Sequence, residues 1–96
     1  MLKVTISYDM QDGKEQECQE YLVNKLAPGL SKLGFNITDV WFTVWGNSPQ
    51  ILSNGALENE EQARKIFLSR DWERISKGME KYARNFKVSF VELEDD

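Results

Sequence analysis

The stretch Phe35-Asn36-Ile37-Thr38-Asp39-Val40-Trp41-Phe42-Thr43-Val44-Trp45-Gly46-Asn47-Ser48-Pro49-Gln50-Ile51-Leu52-Ser53-Asn54-Gly55-Ala56-Leu57 decides the architecture. From Phe35 to Trp45 it is rich in β-branched and aromatic residues, which suit a pleated, packed surface. Alternation puts Val40, Phe42 and Val44 on one side and Asp39, Trp41, Thr43 and Trp45 on the other, so both faces read as at least partly buried. Gly46-Asn47-Ser48-Pro49 is a strong turn signal, and Gln50 to Leu57 reads as a shorter strand, giving an antiparallel hairpin. Asn54-Gly55 interrupts the second run. It is either a second turn or a bulge where a neighbouring backbone comes close, and a bulge or strand end is the preferred reading.

Working outward toward the N-terminus, Gly34 stands before this hairpin as the C-terminal cap of a helix. Cys18, Tyr21, Leu22, Lys25, Leu26, Gly29, Leu30 and Leu33 follow the 3.6-residue repeat of that helix, and Asp12-Gly13 offers a turn and a cap at its start. Pro28 lacks the amide that would bond four residues back, which predicts a kink or restart near Ala27-Pro28-Gly29. Before the helix, Leu2, Val4, Ile6 and Tyr8 alternate with Lys3, Thr5, Ser7 and Asp9, the period of a strand with one apolar face.

On the other side of the hairpin, Asn59 precedes Glu60 and Glu61, an acidic first turn suited to the positive end of a helix whose buried stripe is Ala63, Ile66 and Phe67. Ser69 caps a further helical segment from Arg70 to about Arg84, with Trp72, Ile75, Met79, Tyr82 and Ala83 on one face. Gly78 in its middle needs a packing reason, since it costs about 1 kcal/mol relative to alanine. Phe86, Val88 and Phe90 alternate into a final strand.

Strand, helix, strand, strand, helix, strand is the split βαβ order. The chain, 1–96, therefore reads as one α+β domain of ferredoxin-like βαββαβ order, a four-stranded antiparallel sheet with helices on one face and the second and fourth strands outermost. Leu2, Val4, Ile6, Val40, Phe42, Val44, Phe86, Val88 and Phe90 form the expected core. The opposite face would carry Thr5, Ser7, Asp9, Trp41, Thr43, Trp45, Ser89, Val91 and Leu93, too aromatic to stay in water. A second copy across a twofold axis is the simplest cover.

Composition narrows the chemistry. Ninety-six residues suit a single domain, and 41% apolar with 29% charged residues is ordinary for a globular chain. A net charge of −4 argues against nucleic acid, whose partners need clustered Lys and Arg. No apolar run has the length of a membrane span and the start lacks the apolar core of a signal peptide, so a cytoplasmic protein is expected. Cys18, the one cysteine, lies among apolar neighbours and reads as a buried structural thiol. There is no histidine, which removes the commonest general base and the usual haem and zinc ligand together. Glu58, Glu60 and Glu61 are accounted for by the helix dipole, so no metal is assigned, and Gly13, Gly29 and Gly34 are too widely spaced for a phosphate loop.

Across nearly its whole length the chain resembles the dimeric α+β barrel superfamily, which includes antibiotic-biosynthesis monooxygenase-like and NIPSNAP-like proteins. The matching pieces are Asp12-Gly13-Lys14-Glu15 opening the first helix, Phe35 through Gly46 as strand and turn, and Leu68-Ser69-Arg70-Asp71-Trp72 opening the last helix. The resemblance implies a homodimer with facing sheets and, in some members, a ligand cavity between sheet and helices. Haem-dependent members hold iron through a histidine that this chain lacks. Cofactor-free oxygenation of an activated phenol or quinol needs none.

Three functions stay open at this point: binding of a small hydrophobic or aromatic molecule, cofactor-independent oxygenation, and a noncatalytic structural or partner-binding role. In the first, Trp41 and Trp45 stack on the ligand while Ser7, Asp9 and Thr43 orient polar groups, with no cofactor. In the second, Asp9 or Asp39 is the base if burial raises its pKa. In the third, the acidic end Glu92-Leu93-Glu94-Asp95-Asp96 touches a basic partner. Trp72 is expected to pack in the core or against the dimer partner.

Overall fold

The structure, a computed structural model, describes residues 1–43 and 51–93. Strand β1 (Leu2–Met10) runs through the middle of the sheet, and its alternating Leu2, Val4, Ile6 and Tyr8 are all buried. A β-turn closed by the Lys14 amide on the Gln11 carbonyl, with Gly13 at φ 81°, leads to helix α1 (Glu15–Tyr21). The expected turn is there. The expected cap is not, because Lys14 occupies the N-cap position without a side-chain bond while Asp12 stays in the turn.

Pro28 has the predicted effect by a specific route. The helix widens into a π turn over Leu22–Leu26, where the Ala27 amide bonds the Leu22 oxygen five residues back, and α2 (Ala27–Leu33) restarts with the proline in its first turn. A widened turn moves the preceding carbonyls away from the pyrrolidine ring. Gly34, at φ 103°, ends α2: the Phe35 amide bonds the Leu30 oxygen at 2.9 Å and the Gly34 amide the Ser31 oxygen at 3.1 Å, a Schellman closure that a residue with a Cβ resists.

Strands β2 (Ile37–Phe42) and β3 (Ile51–Leu57) form the antiparallel hairpin, while Val44, Trp45 and the Gly46–Pro49 turn lie outside the described residues. Asn54-Gly55 neither turns nor ends β3, which continues to Leu57; the irregularity sits opposite, where β2 carries an extra residue between Ile37 and Asp39. The close neighbour expected there is real. A Cβ on Gly55 would lie 2.5 Å from both the Asn36 carbonyl oxygen and the Phe35 ring.

Helix α3 (Glu60–Phe67) is capped by Asn59, whose side chain accepts the Gln62 amide at 3.0 Å, and α4 (Arg70–Met79) by Ser69, which accepts the Trp72 amide at 3.1 Å. Gly78 has its packing reason: any Cβ there would run into the Tyr21 hydroxyl, which donates to the Ile75 carbonyl at 2.9 Å. The helix stops at Met79, short of the expected end near Arg84. The Gln11 side-chain amide takes the Glu80 and Ala83 carbonyls and the Gln11 backbone amide takes that of Tyr82, so these residues are drawn toward β1 and β4 (Ala83–Glu92) begins at once.

The sheet order is β2-β3-β1-β4, antiparallel throughout and open at both margins, with β2 and β4 outermost as expected. The long helix of α1 to α2, together with α3 and α4, covers one face. Cys18, Leu22, Leu26, Leu30, Ala63, Ile66, Trp72 and Met79 meet β1, Ile51 and Leu57 in one core cluster. Three core expectations are corrected. Val40 and Phe42 point to the helix side yet are 38% and 58% exposed, and Phe90 is 45% exposed, because the helices do not reach the sheet margins where these strands lie. Among the described residues no helix is long and apolar enough to cross a membrane.

Candidate functional site

The face of the sheet opposite the described helices is ordered in cross-strand rows. Register places Trp41, Leu52, Ser7 and Lys87 side by side on β2, β3, β1 and β4, and the next row holds Asp39, Asn54, Thr5 and Ser89. Adjacent strands are about 4.8 Å apart, so the Trp41 and Ser7 backbones stand about 10 Å apart with Leu52 between them. In the second row the Thr5 hydroxyl donates to the Asn54 side-chain oxygen at 2.8 Å, which uses polar capacity within the face itself. Trp41 is 63% exposed, Val91 and Leu93 also lie open, and Ser7 is buried between its cross-strand neighbours.

Of the residues expected here, Ser7 and Trp41 share one row and Thr43 follows β2 half-buried. Trp45 lies outside the described residues. Asp9 is at the end of β1 beside a β-bulge, where Asn85 takes a left-handed conformation at φ 55° and its side-chain amide donates to the Asp9 carboxylate at 2.8 Å. Asparagine tolerates that conformation better than most residues, so this contact pins the bulge and holds the carboxylate at the strand end.

The space between the sheet and the first helix is filled rather than hollow. Tyr8, Leu26, Phe35 and Met79 are fully buried there, and Trp72 packs edge-on to Phe67 with ring centres 4.9 Å apart, as the core reading of Trp72 expected. The polar side chains of Tyr8, Ser53 and Cys18 share this interior. The Tyr8 and Ser53 hydroxyls are buried without hydrogen-bond partners, and the Cys18 thiol, itself fully buried, lies close enough to Tyr8 to act on its ionisation. Burial pushes the Tyr8 phenol far above its ordinary value of 10.0, with Cys18 adding to the rise and the neighbouring Ser53 hydroxyl, short of a hydrogen bond, opposing it, and burial also raises the Cys18 thiol. A thiol held in its neutral form is a poor nucleophile. Cys18→Ser is expected to lower stability by about 1–2 kcal/mol, since a more strongly hydrated group is buried in an apolar site. Denaturant titration measures this; an unchanged midpoint would mean that the new hydroxyl bonds Tyr8 or the helix backbone.

An open recess lies elsewhere, at the β4 margin on the helix side. Leu2, Ala63, Phe67, Leu68 and Phe90 line a cleft of about 380 Å³, to which Glu60, Arg64 and Glu92 add charge. Phe67 and Phe90 meet edge-on with centres 5.5 Å apart, and Leu68, in the joint between α3 and α4, is 80% exposed. Arg64 pairs with Glu60 at 2.9 Å, one helical turn away, and no ion pair among the described residues involves Glu92. Sequence reasoning placed Phe90 in the core and missed this cleft. Its one local sign is Leu68, an apolar residue directly before a helix cap and off the α3 stripe. Among the described residues no group of three or more His, Cys, Asp or Glu is placed to hold a metal ion.

The sequence matches no protein-family model and no curated protein. Solved structures do match. A putative antibiotic biosynthesis monooxygenase from Deinococcus radiodurans superposes with a TM-score of 0.78 at 11% identity, covering 100% of this chain and 95% of that one. An uncharacterized NIPSNAP domain protein from Burkholderia xenovorans gives 0.73 at 13% identity, covering 98% and 95%. A dimeric protein of unknown function and ferredoxin-like fold from Bacteroides fragilis gives 0.66 at 11% identity, covering 96% and 95%. At these identities the likeness is one of fold, and the fold is the ferredoxin-like one of the NIPSNAP and antibiotic-biosynthesis monooxygenase-like proteins that the sequence pattern resembles.

Proposed function

We propose that this protein is a homodimer that binds a small, largely apolar molecule in the cleft between α3 and β4. The observation that carries the ligand is the cleft itself, whose volume of about 380 Å³ lies within the range of small-molecule sites and whose walls are aromatic and aliphatic. Dimerisation is supported by the face opposite the helices, where Trp41, Val91 and Leu93 lie open on a sheet whose described helices all pack on the other side. The Bacteroides fragilis protein of the same fold is described as dimeric. In this reading Ser7, Asp9, Trp41, Thr43 and Trp45 belong to the contact between facing sheets, where a bound molecule between the copies would meet the same residues.

Native mass spectrometry of freshly purified protein tests both halves. A dimer with added mass supports the reading, a bare dimer removes the retained ligand, and a monomer at tens of micromolar sinks the paired-sheet account. Trp41→Ala and Trp45→Ala are each expected to weaken the dimer about 10- to 100-fold, as for aromatic anchors at other interfaces. Sedimentation equilibrium reads this directly, and unchanged dissociation constants in both variants would remove the face from the interface. A cytoplasmic setting belongs to the same proposal, in keeping with the unpaired Cys18, because small secreted domains commonly rely on disulfides; cell fractionation checks it. Nucleic acid is left out on grounds of charge.

A second reading, cofactor-independent oxygenation, draws support from the Deinococcus radiodurans neighbour described as a putative antibiotic biosynthesis monooxygenase. Asp9, held by Asn85, is the carboxylate this reading would use as base. Oxygen uptake with an easily oxidised quinol, lost in Asp9→Asn, is the required result. No uptake above the uncatalysed rate returns the protein to binding alone.

A further inference from the structure

The charges around the α3/β4 cleft say which kind of apolar molecule it takes, given the proposed ligand-binding role on which this step rests. The lining holds two carboxylates, Glu60 and Glu92, against one guanidinium, Arg64. Arg64 and Glu60 are already paired at 2.9 Å, so an incoming carboxylate meets a cation that has a partner and, at Glu92, a like charge. An incoming ammonium meets Glu92, for which no ion pair occurs among the described residues. Glu92 shares the helix side of β4 with Phe90, two residues away and 45% exposed, and stands opposite Leu2 of β1.

The apolar part of the lining favours the same ligand. Phe90 and Phe67 contribute aromatic surface beside the carboxylate, and a cation near an aromatic face gains from the ring quadrupole as well as from the opposite charge. The net charge of −4 acts in the same direction, drawing cations and repelling anions at a distance. The geometry points to an amphipathic amine: a flat or branched apolar body seated on Leu2, Ala63, Phe67 and Phe90, with its ammonium held by Glu92 at the open margin of the sheet.

The test compares three probes that share a phenyl ring on a three-carbon chain, 3-phenylpropylamine, 3-phenylpropionate and the neutral 3-phenylpropanol, titrated into the intact protein and followed by amide NMR shifts at Ala63, Phe67 and Leu68. The expected result is saturable shifts with the amine binding about five- to tenfold more tightly than the alcohol, the acid weaker still, and the amine's advantage lost in Glu92→Gln. Added salt reduces the preference for the amine while leaving the alcohol unaffected. If amine and alcohol bind alike, or the acid binds best, the cleft is a ligand site but the amine assignment is overturned. If none of the probes moves these residues, the cleft itself fails as a ligand site and this inference falls with it. Glu92 is exposed at a strand end, so its glutamine variant leaves the fold intact.

Discussion

Gly55→Ala is expected to destabilise the protein by about 3 kcal/mol, the upper part of the range for overpacking a filled site. Gly55 lies within β3, opposite Val4 on one side and Ile37 on the other, and a Cβ there would stand 2.5 Å from the Asn36 carbonyl oxygen and 2.5 Å from the Phe35 ring. Neither neighbour yields easily. The carbonyl belongs to the backbone leaving the Gly34 cap, and the Phe35 ring is fully buried and packs edge-on to Phe67 at 5.8 Å. Relief would require moving the entry to β2 or the end of α2. Gly13→Ala provides the contrast: φ is 81° but a Cβ would meet nothing within 4 Å, so only backbone strain of about 1 kcal/mol is expected.

A double-mutant cycle makes the cause testable. Phe35→Leu removes the ring but leaves the Asn36 carbonyl, so Gly55→Ala should cost less in that background while still costing something. Urea midpoints at one protein concentration give the four free energies. Full additivity would show that the ring does not confine Gly55, and a neutral single variant would show that the strand has room the structure does not contain.

Local chemistry made much of this fold legible from sequence. The Asn59, Ser69 and Gly34 caps, the strand parity of β1 and the restart at Pro28 all depend on residues within a turn or two of each other. What was misread depends on distant partners. Alternation told which side of β2 Val40 and Phe42 face, but cover is supplied by helices far away in sequence, and these stop short of the margin. Tyr82 and Ala83 keep helical spacing with Trp72 and Met79, yet Gln11 captures the carbonyls around them and ends α4 early. The candidate site divides in the same way. Ser7 and Trp41 were assigned to one face by parity, and pairing through Leu52 sets them in one row. The cleft needs Leu2, α3 and the end of β4 together, a combination of three segments that no single window of sequence displays.

The interior Tyr8 leads to the other large effect, a loss of stability at alkaline pH. Burial raises the phenol pKa far above 10.0 in the fold, whereas the unfolded chain ionises at the ordinary value. Both states keep the proton at lower pH and the group contributes nothing to the pH dependence; above about pH 10 only the unfolded state releases it, and stability falls by about 1.4 kcal/mol per pH unit. Between pH 10 and pH 12 Tyr8 alone accounts for a loss of about 2–3 kcal/mol. Cys18 and Tyr21, also raised by burial, act with the same sign, the thiol beginning earlier because its ordinary value is 9.0. Tyr8→Phe isolates this contribution. The variant loses a hydroxyl that has no hydrogen-bond partner, so at pH 7 it should be as stable as the parent or slightly more stable, and its unfolding free energy should decline less steeply above pH 10. Urea titrations from pH 7 to pH 12, at one protein concentration because a dimer's stability depends on it, provide the comparison. Parallel curves for parent and variant would mean that Tyr8 reaches water on ionising, and a large loss at pH 7 would mean that its hydroxyl bonds Ser53 in solution.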